Sequence, residues 1–121
     1  MSTRYDICLV TAGSRAAARK LASGLLRERL AACVSAVPGV ESSYWWQGRL
    51  ERASEVLLLV KTRRALRKEV MKFVKRHHPY AVPEVLFAEI AAGSPEYLAW
   101  LGANTVLSAK PPEGKAPETK K

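Results

Sequence analysis

Apolar residues at Ala18, Leu21, Ala22, Leu25, Leu26 and Leu30 recur every three or four positions, while Arg15, Arg19, Arg27 and Arg29 fall mostly between them. That spacing lays one apolar stripe along a helix from Arg15 to Ala31. Ser14, just ahead of it, is placed to cap the free amides of its first turn. Gly24 in the middle costs on the order of 1 kcal/mol relative to alanine, a cost that a close packing contact would explain. A second stripe, Leu66, Val70, Phe73, Val74 and His77, predicts a helix from Arg64 to His77 with its basic residues on the opposite face. Pro79 and Pro83 end that helix and start an extended segment. A shorter apolar set, Tyr97, Leu98 and Leu101 with Trp100 flanking, predicts a third helix capped by Ser94 and opened by Pro95.

The remaining apolar segments lack the helical period. Residues 5–10 (YDICLV) alternate weakly and read as a short strand. Residues 33–62 read as two strands joined at Gln47-Gly48, a turn pair. Pro38-Gly39 interrupts the first of these and predicts a bulge or bend. The run VLLLV at 56–60 predicts a strand buried on both faces. Residues 83–90 (PEVLFAEI) supply the last strand. The order β-α-β-β-α-β plus a C-terminal helix predicts an α/β (α+β) ferredoxin-like sandwich over residues 1–107, with an antiparallel sheet and helices on one face. Residues 108–121 are rich in proline and lysine, contain no large apolar residue, and read as a flexible tail.

Strand length adds a prediction about assembly. Strands of about 14 residues span about 46 Å at about 3.3 Å per residue, whereas a domain of this size is about 34 Å across. The hairpin therefore overhangs its own domain, carrying Tyr44, Trp45 and Trp46 near its tip. Pairing with another subunit would cover both its apolar surface and its open edges.

Composition narrows the function classes. The chain has 121 residues, 48% of them hydrophobic, which fits one globular domain. The first ten residues lack a cleavable signal pattern, and no apolar run approaches the roughly 20 residues of a membrane span; a cytoplasmic protein without a membrane span is expected. The formal net charge is +9, and residues 61–76 alone hold Lys61, Arg63, Arg64, Arg67, Lys68, Lys72, Lys75 and Arg76 against Glu69. An electrostatic partner would meet this segment. Nucleic acid is not the expected partner, because the basic residues are not interleaved with free aromatics and no known nucleic-acid motif is present. No nucleophile elbow, phosphate loop or zinc-protease motif occurs, so neither an enzyme nor an organic cofactor is expected. Cys8 and Cys33 form neither a disulfide framework nor a C-x-x-C pair and are expected to be buried thiols.

His77 and His78 are the candidate metal ligands. Neighbouring residues at a helix end face different ways, so sharing one ion requires the helix to unwind there, which Pro79 favours. In the alternative, His77 continues the apolar face and His78 caps the end of the helix.

Several local patterns carry a resemblance: RLAACV, then PG, Y-x-W-x-G at Tyr44, Trp46 and Gly48, SEV at 54–56, KT at 61–62, HPY at 78–80 and Y-L-x-W at 97–100. Each is weak alone, but in this order they are specific. From about Cys8 to Asn104 the chain resembles the CutA1 family, the divalent-ion tolerance proteins. The resemblance implies a homotrimer of ferredoxin-like subunits, similar in architecture to the PII signalling proteins, with long hairpins paired between subunits. It implies a role in the response to metal ions, with copper (Cu²⁺ or Cu⁺) at His77 and His78. A third ligand in one bacterial branch is a cysteine whose position is Val10 here; Cys8 lies two residues earlier on the same strand face. The resemblance also gathers Tyr44, Trp46, Lys61, His78, Tyr80, Glu84 and Trp100 near clefts between subunits, either as a small-ligand site or as part of the trimer interface. A PII-like sensor binding a small anionic metabolite in those clefts is the alternative function.

Overall fold

Four strands, β1 (Tyr5–Ala12), β2 (Cys33–Trp46), β3 (Arg49–Arg63) and β4 (Leu86–Glu89), form one antiparallel sheet in the order β2-β3-β1-β4. Three helices accompany them: α1 (Arg15–Arg27), α2 (Arg67–His77) and α3 (Pro95–Ala103). The structure is a computed structural model and describes residues 3–107; the tail expected at 108–121 lies outside the described residues. The topology is ferredoxin-like, as the pattern of stripes and alternations predicts.

The core lies between the sheet and α1 and α2. Cys8, Val10, Leu58 and Val60 meet Leu21 and Leu25 of α1 and Val70 and Val74 of α2. Gly24 lets the Phe73 ring lie against α1, because a Cβ at that position would overlap the ring. Ser14 caps α1 by accepting from the Ala17 amide, and Ser94 caps α3 by accepting from the Tyr97 amide.

Four details differ from the sequence reading. Helix α1 stops at Arg27 because Arg29 adopts φ 59° and the chain closes in a Schellman motif, with the Leu30 amide donating to the Leu25 carbonyl and the Arg29 amide to that of Leu26. The first turn expected for α2, Arg64–Leu66, is a 3-10 turn. Strand β4 is shorter than 83–90, running from Leu86 to Glu89 along β1, with the Ile90 amide still donating to the Tyr5 carbonyl. The run 56–60 is buried on one face alone: Val56, Leu58 and Val60 are buried, while Leu57 and Leu59 are half-buried on the other face.

That second face carries Ile7, Leu9, Val37, Leu57, Leu59 and Leu86, with Val37 and Leu86 exposed. Among the described residues, α3 is the helix that lies on it, at one end, where Arg63 donates to the Gly102 carbonyl at 2.7 Å.

The hairpin overhangs as expected. Pairing of β1 with β3 ends at Ala12 with Val56, whereas β2 and β3 stay paired out to Trp46 with Arg49. The overhang is thus about 20 Å at about 3.3 Å per residue. Gln47 and Gly48 both have positive φ, 50° and 78°, which is the two-residue turn that matches strand twist. The register shifts between Val37 and Val40, placing the bulge at Pro38-Gly39.

Candidate functional site

At the root of the overhang, where β1 ends and the hairpin continues alone, a cavity of about 530 Å³ opens. Tyr44 and Trp46 come from β2, Glu55 from β3, Thr11 from β1, and Tyr80 and Glu84 from the segment between α2 and β4. A volume of this size and a mix of aromatic walls with a few polar groups suit a small ligand.

A chain of hydrogen bonds holds the cavity's far wall. His78 is extended (φ −84°, ψ 135°), as the residue before a proline prefers. This turns its ring back under the sheet, where it is buried. Its Nε2 lies 2.7 Å from the Thr11 carbonyl, and its Nδ1 accepts from the Tyr80 amide at 3.1 Å. A carbonyl only accepts, so Nε2 carries the proton and the ring is neutral in that tautomer. The Tyr80 ring lies against the His78 ring at 4.6 Å, and its hydroxyl donates to Glu55 at 2.7 Å. Burial first, and then the Glu55 carboxylate, pushes the Tyr80 phenol up to about 12. His78 is therefore a positioning residue that fixes Tyr80 against Glu55.

Of the cleft residues predicted from sequence, Tyr44, Trp46, Tyr80 and Glu84 line this cavity, and Lys61 and Trp100 do not. Lys61 donates to Ser35 at 2.9 Å and to the Cys33 sulfur at 3.6 Å. Trp100 lies against Tyr97, ring centroids 5.5 Å apart. Burial, and then the neighbouring Cys33, pushes the Tyr97 phenol up. Glu55 is the residue sequence reasoning missed. A single glutamate ahead of an apolar strand gives no pattern; the signal was its place in the SEV motif.

The two histidines are not brought to one point. His77 is exposed and lies against Phe73, centroids 4.3 Å apart, in a second concavity of about 630 Å³ between α1 and α2, beside Arg19, Lys20 and Arg27. His78 has both ring nitrogens engaged on the other side. Cys8 is fully buried in the core, and its thiol is pushed up to about 12 by burial first and then by Asp6 and Glu84, so it supplies no thiolate. Among the described residues no three His, Cys, Asp or Glu side chains gather into a metal site. In this arrangement the residues do not fit a copper ion shared by His77 and His78.

Half of the basic run is also accounted for. Arg64 and Arg67 clamp the fully buried carboxylate of Asp6, at 3.2 and 2.5 Å, and both approach Glu89 at 3.8 Å. Arg63 and Lys61 are hydrogen-bonded to the α3 end and to β2. Lys68, Lys72, Lys75 and Arg76 remain exposed.

The β2-β3-β1-β4 sheet, backed by two helices and extended by a long hairpin, places the chain in the ferredoxin-like class. Within that class it belongs to the CutA1 family: the model of the CutA1 divalent ion tolerance protein family matches residues 7–104. The chain is similar to the divalent-cation tolerance protein CutA of Thermus thermophilus, 47% identical over 100 residues, which are 83% of this chain and 97% of that one. A solved structure of the Thermus thermophilus protein superposes with a TM-score of 0.82 at 46% identity, covering 84% and 99% of the two chains. CutA1 from Oryza sativa superposes with a TM-score of 0.85 at 40% identity, covering 88% and 98%. The chloroplastic CutA of Arabidopsis thaliana is 44% identical over 99 residues, 82% of this chain but 54% of that protein. The chain spans about half the length of the plant proteins it matches.

Proposed function

We propose that this protein acts in divalent-cation tolerance, within the response to metal ions, as a cytoplasmic homotrimer that works by binding and not by turnover. The family match and the names of the relatives support the ion-tolerance role. One observation supports the trimer. Among the described residues, the sheet face bearing Ile7, Leu9, Leu57, Leu59 and Leu86 is covered by α3 only at one end, and it continues into a hairpin whose Trp45 is 73% exposed. Apolar surface on this scale, joined to open strand edges, is what subunit association covers. In such an assembly another copy would bring Lys61 and Trp100 to the cavity that they do not reach within one chain.

Copper is the metal the resemblance implies, and here it is left to the exposed imidazole of His77. A single imidazole beside Arg19, Lys20 and Arg27 makes a weak cation site, because the metal must compete with protons and with three neighbouring cations. The role is tested by expressing the chain in a host deleted for its own relative and measuring growth against graded Cu²⁺, Zn²⁺ and Cd²⁺. Restored growth is expected; growth no better than the empty vector would contradict the reading.

The alternative, a PII-like sensor of a small anion, draws support from a different place than the cleft. The cavity near Tyr44 presents carboxylates, whereas the concavity between α1 and α2 presents Arg19, Lys20, Arg27 and His77. An anion-dependent rise in melting temperature that is lost in Arg19→Ala with Arg27→Ala would favour it.

A further inference from the structure

We propose that the concavity between α1 and α2 binds a small organic phosphate monoester, a dianionic phosphate carried on a short apolar or aromatic body. The inference rests on the reading of this concavity as an anion site and gives that anion its chemistry.

Position is the first argument. Helices α1 and α2 pack on the sheet face that carries Cys8, Val10, Leu58 and Val60, whereas the proposed trimer covers the opposite face and the hairpin. The concavity therefore needs no second copy to complete it. Its volume of about 630 Å³ suits a small ligand.

Spacing is the second. Lys20, Gly24 and Arg27 follow one another at i, i+4 and i+7, so they share one face of α1, with Lys20 a turn before the glycine and Arg27 a turn after it. Gly24 has no side chain to fill the space between them, and the Phe73 ring reaches across from α2 to lie against it. His77 lies against the same ring. The result is an aromatic floor with a cation at each end, and Arg19 next to Lys20.

Charge selects the anion. Among the described residues that line the concavity, three permanent cations, Arg19, Lys20 and Arg27, are set against one carboxylate, Glu28. None of the three makes a salt bridge among the described residues. A carboxylate or a phosphodiester brings one negative charge. A phosphate monoester brings close to two at pH 7, with three strong acceptor oxygens. Those oxygens match the forked donors of two guanidinium groups and the ammonium of Lys20. The apolar body then covers the Phe73 floor, which inorganic phosphate would leave in water.

The test is isothermal titration of the full-length chain with sodium phenyl phosphate, inorganic phosphate and sodium benzoate at matched pH and ionic strength. Phenyl phosphate should bind saturably and at least tenfold more tightly than either of the others. Lys20→Ala and Arg27→Ala should each weaken it about fivefold or more. Lys75→Ala removes the same charge from an exposed side chain of α2 that does not line the concavity, and should change the affinity less than about twofold. An unaltered far-UV spectrum would show that each variant is folded. Benzoate or inorganic phosphate binding as tightly as phenyl phosphate, with the binding lost in Arg27→Ala, would overturn the phosphate-ester inference and leave the anion reading standing. Absence of binding by all three anions would overturn both. Equal weakening by Lys75→Ala and Lys20→Ala would reduce the effect to the general field of a basic chain and overturn the site.

Discussion

His78 lies in a sequence that invites a metal, and its contacts give it another task. Its ring joins the end of β1 to the start of the segment that carries Tyr80. Replacing it with alanine leaves a carbonyl and an amide without partners, so His78→Ala should cost about 1–3 kcal/mol in urea unfolding. His77→Ala should stay within about 0.5 kcal/mol of the parent. Calorimetry with Cu²⁺ separates the same two residues by function. Whatever weak binding the parent shows should disappear in His77→Ala and persist in His78→Ala at temperatures where that variant is folded. Retention in His77→Ala would move the copper elsewhere. Cys8 gives a pH prediction. Its thiol is raised from 9.0 to about 12 in the folded chain, so its neutral form stabilises the fold fully below pH 9, and that contribution is lost as pH rises toward 12. Tyr80, raised from 10.0 to about 12, acts in the same direction over the upper part of that range. Stability should fall between pH 9 and 12, and Cys8→Ala should flatten the slope while lowering stability at neutral pH; an unchanged slope would contradict this.

Among the elements, Gly24 shows how a helix can depend on a residue that weakens it. Alanine there would add helix propensity on the order of 1 kcal/mol, but its Cβ would overlap the Phe73 ring. Overpacking of this kind costs about 1–3 kcal/mol, so Gly24→Ala should destabilise despite the propensity gain, and a raised thermal midpoint would contradict the packing argument. The same helix shows what the sequence made legible. The stripe from Ala18 to Leu30 located α1 and its buried face, because burial follows the 3.6-residue period. It overran the end because Leu30 is also buried, beyond a Schellman turn that needs Arg29 at positive φ, where arginine gives no warning that glycine would. Gln47-Gly48 gave the hairpin turn, since that turn demands such residues. Of the cleft set, Tyr44, Trp46, Tyr80 and Glu84 were found together. Lys61 and Trp100 were not: Lys61 sits on β3 and bonds to Ser35 and Cys33 of β2, and Trp100 rides on α3, at the other end of the sheet. Glu55 was missed because a buried acid in a strand looks like any exposed one until its neighbours are known.

At the scale of the molecule, two buried or half-covered features set stability and assembly. Asp6 is fully buried between Arg64 and Arg67, tying β1 to the start of α2. Asp6→Asn removes the charge that both part-exposed guanidinium groups share while leaving them beside Glu89, so it should cost about 1–3 kcal/mol by denaturant unfolding; a cost below about 0.5 kcal/mol would show the pair to be solvent-screened. Lys61, Arg63, Arg64 and Arg67 of the basic run make contacts of the fold, while Lys68, Lys72, Lys75 and Arg76 are its exposed charges among the described residues. In the proposed trimer the open sheet face and the overhanging hairpin serve assembly. Trp45 and Trp46 together present large aromatic area, and each such ring can bury about 150–250 Å². Trp45→Glu with Trp46→Glu should therefore break subunit contacts. The most direct measurement is the mass of the full-length parent chain by size-exclusion chromatography with light scattering, run beside this double variant. The account predicts three times the chain mass for the parent, with monomer or aggregate for the variant. A parent that elutes as a monodisperse monomer, or a double variant that keeps the parent's mass and stability, would contradict it.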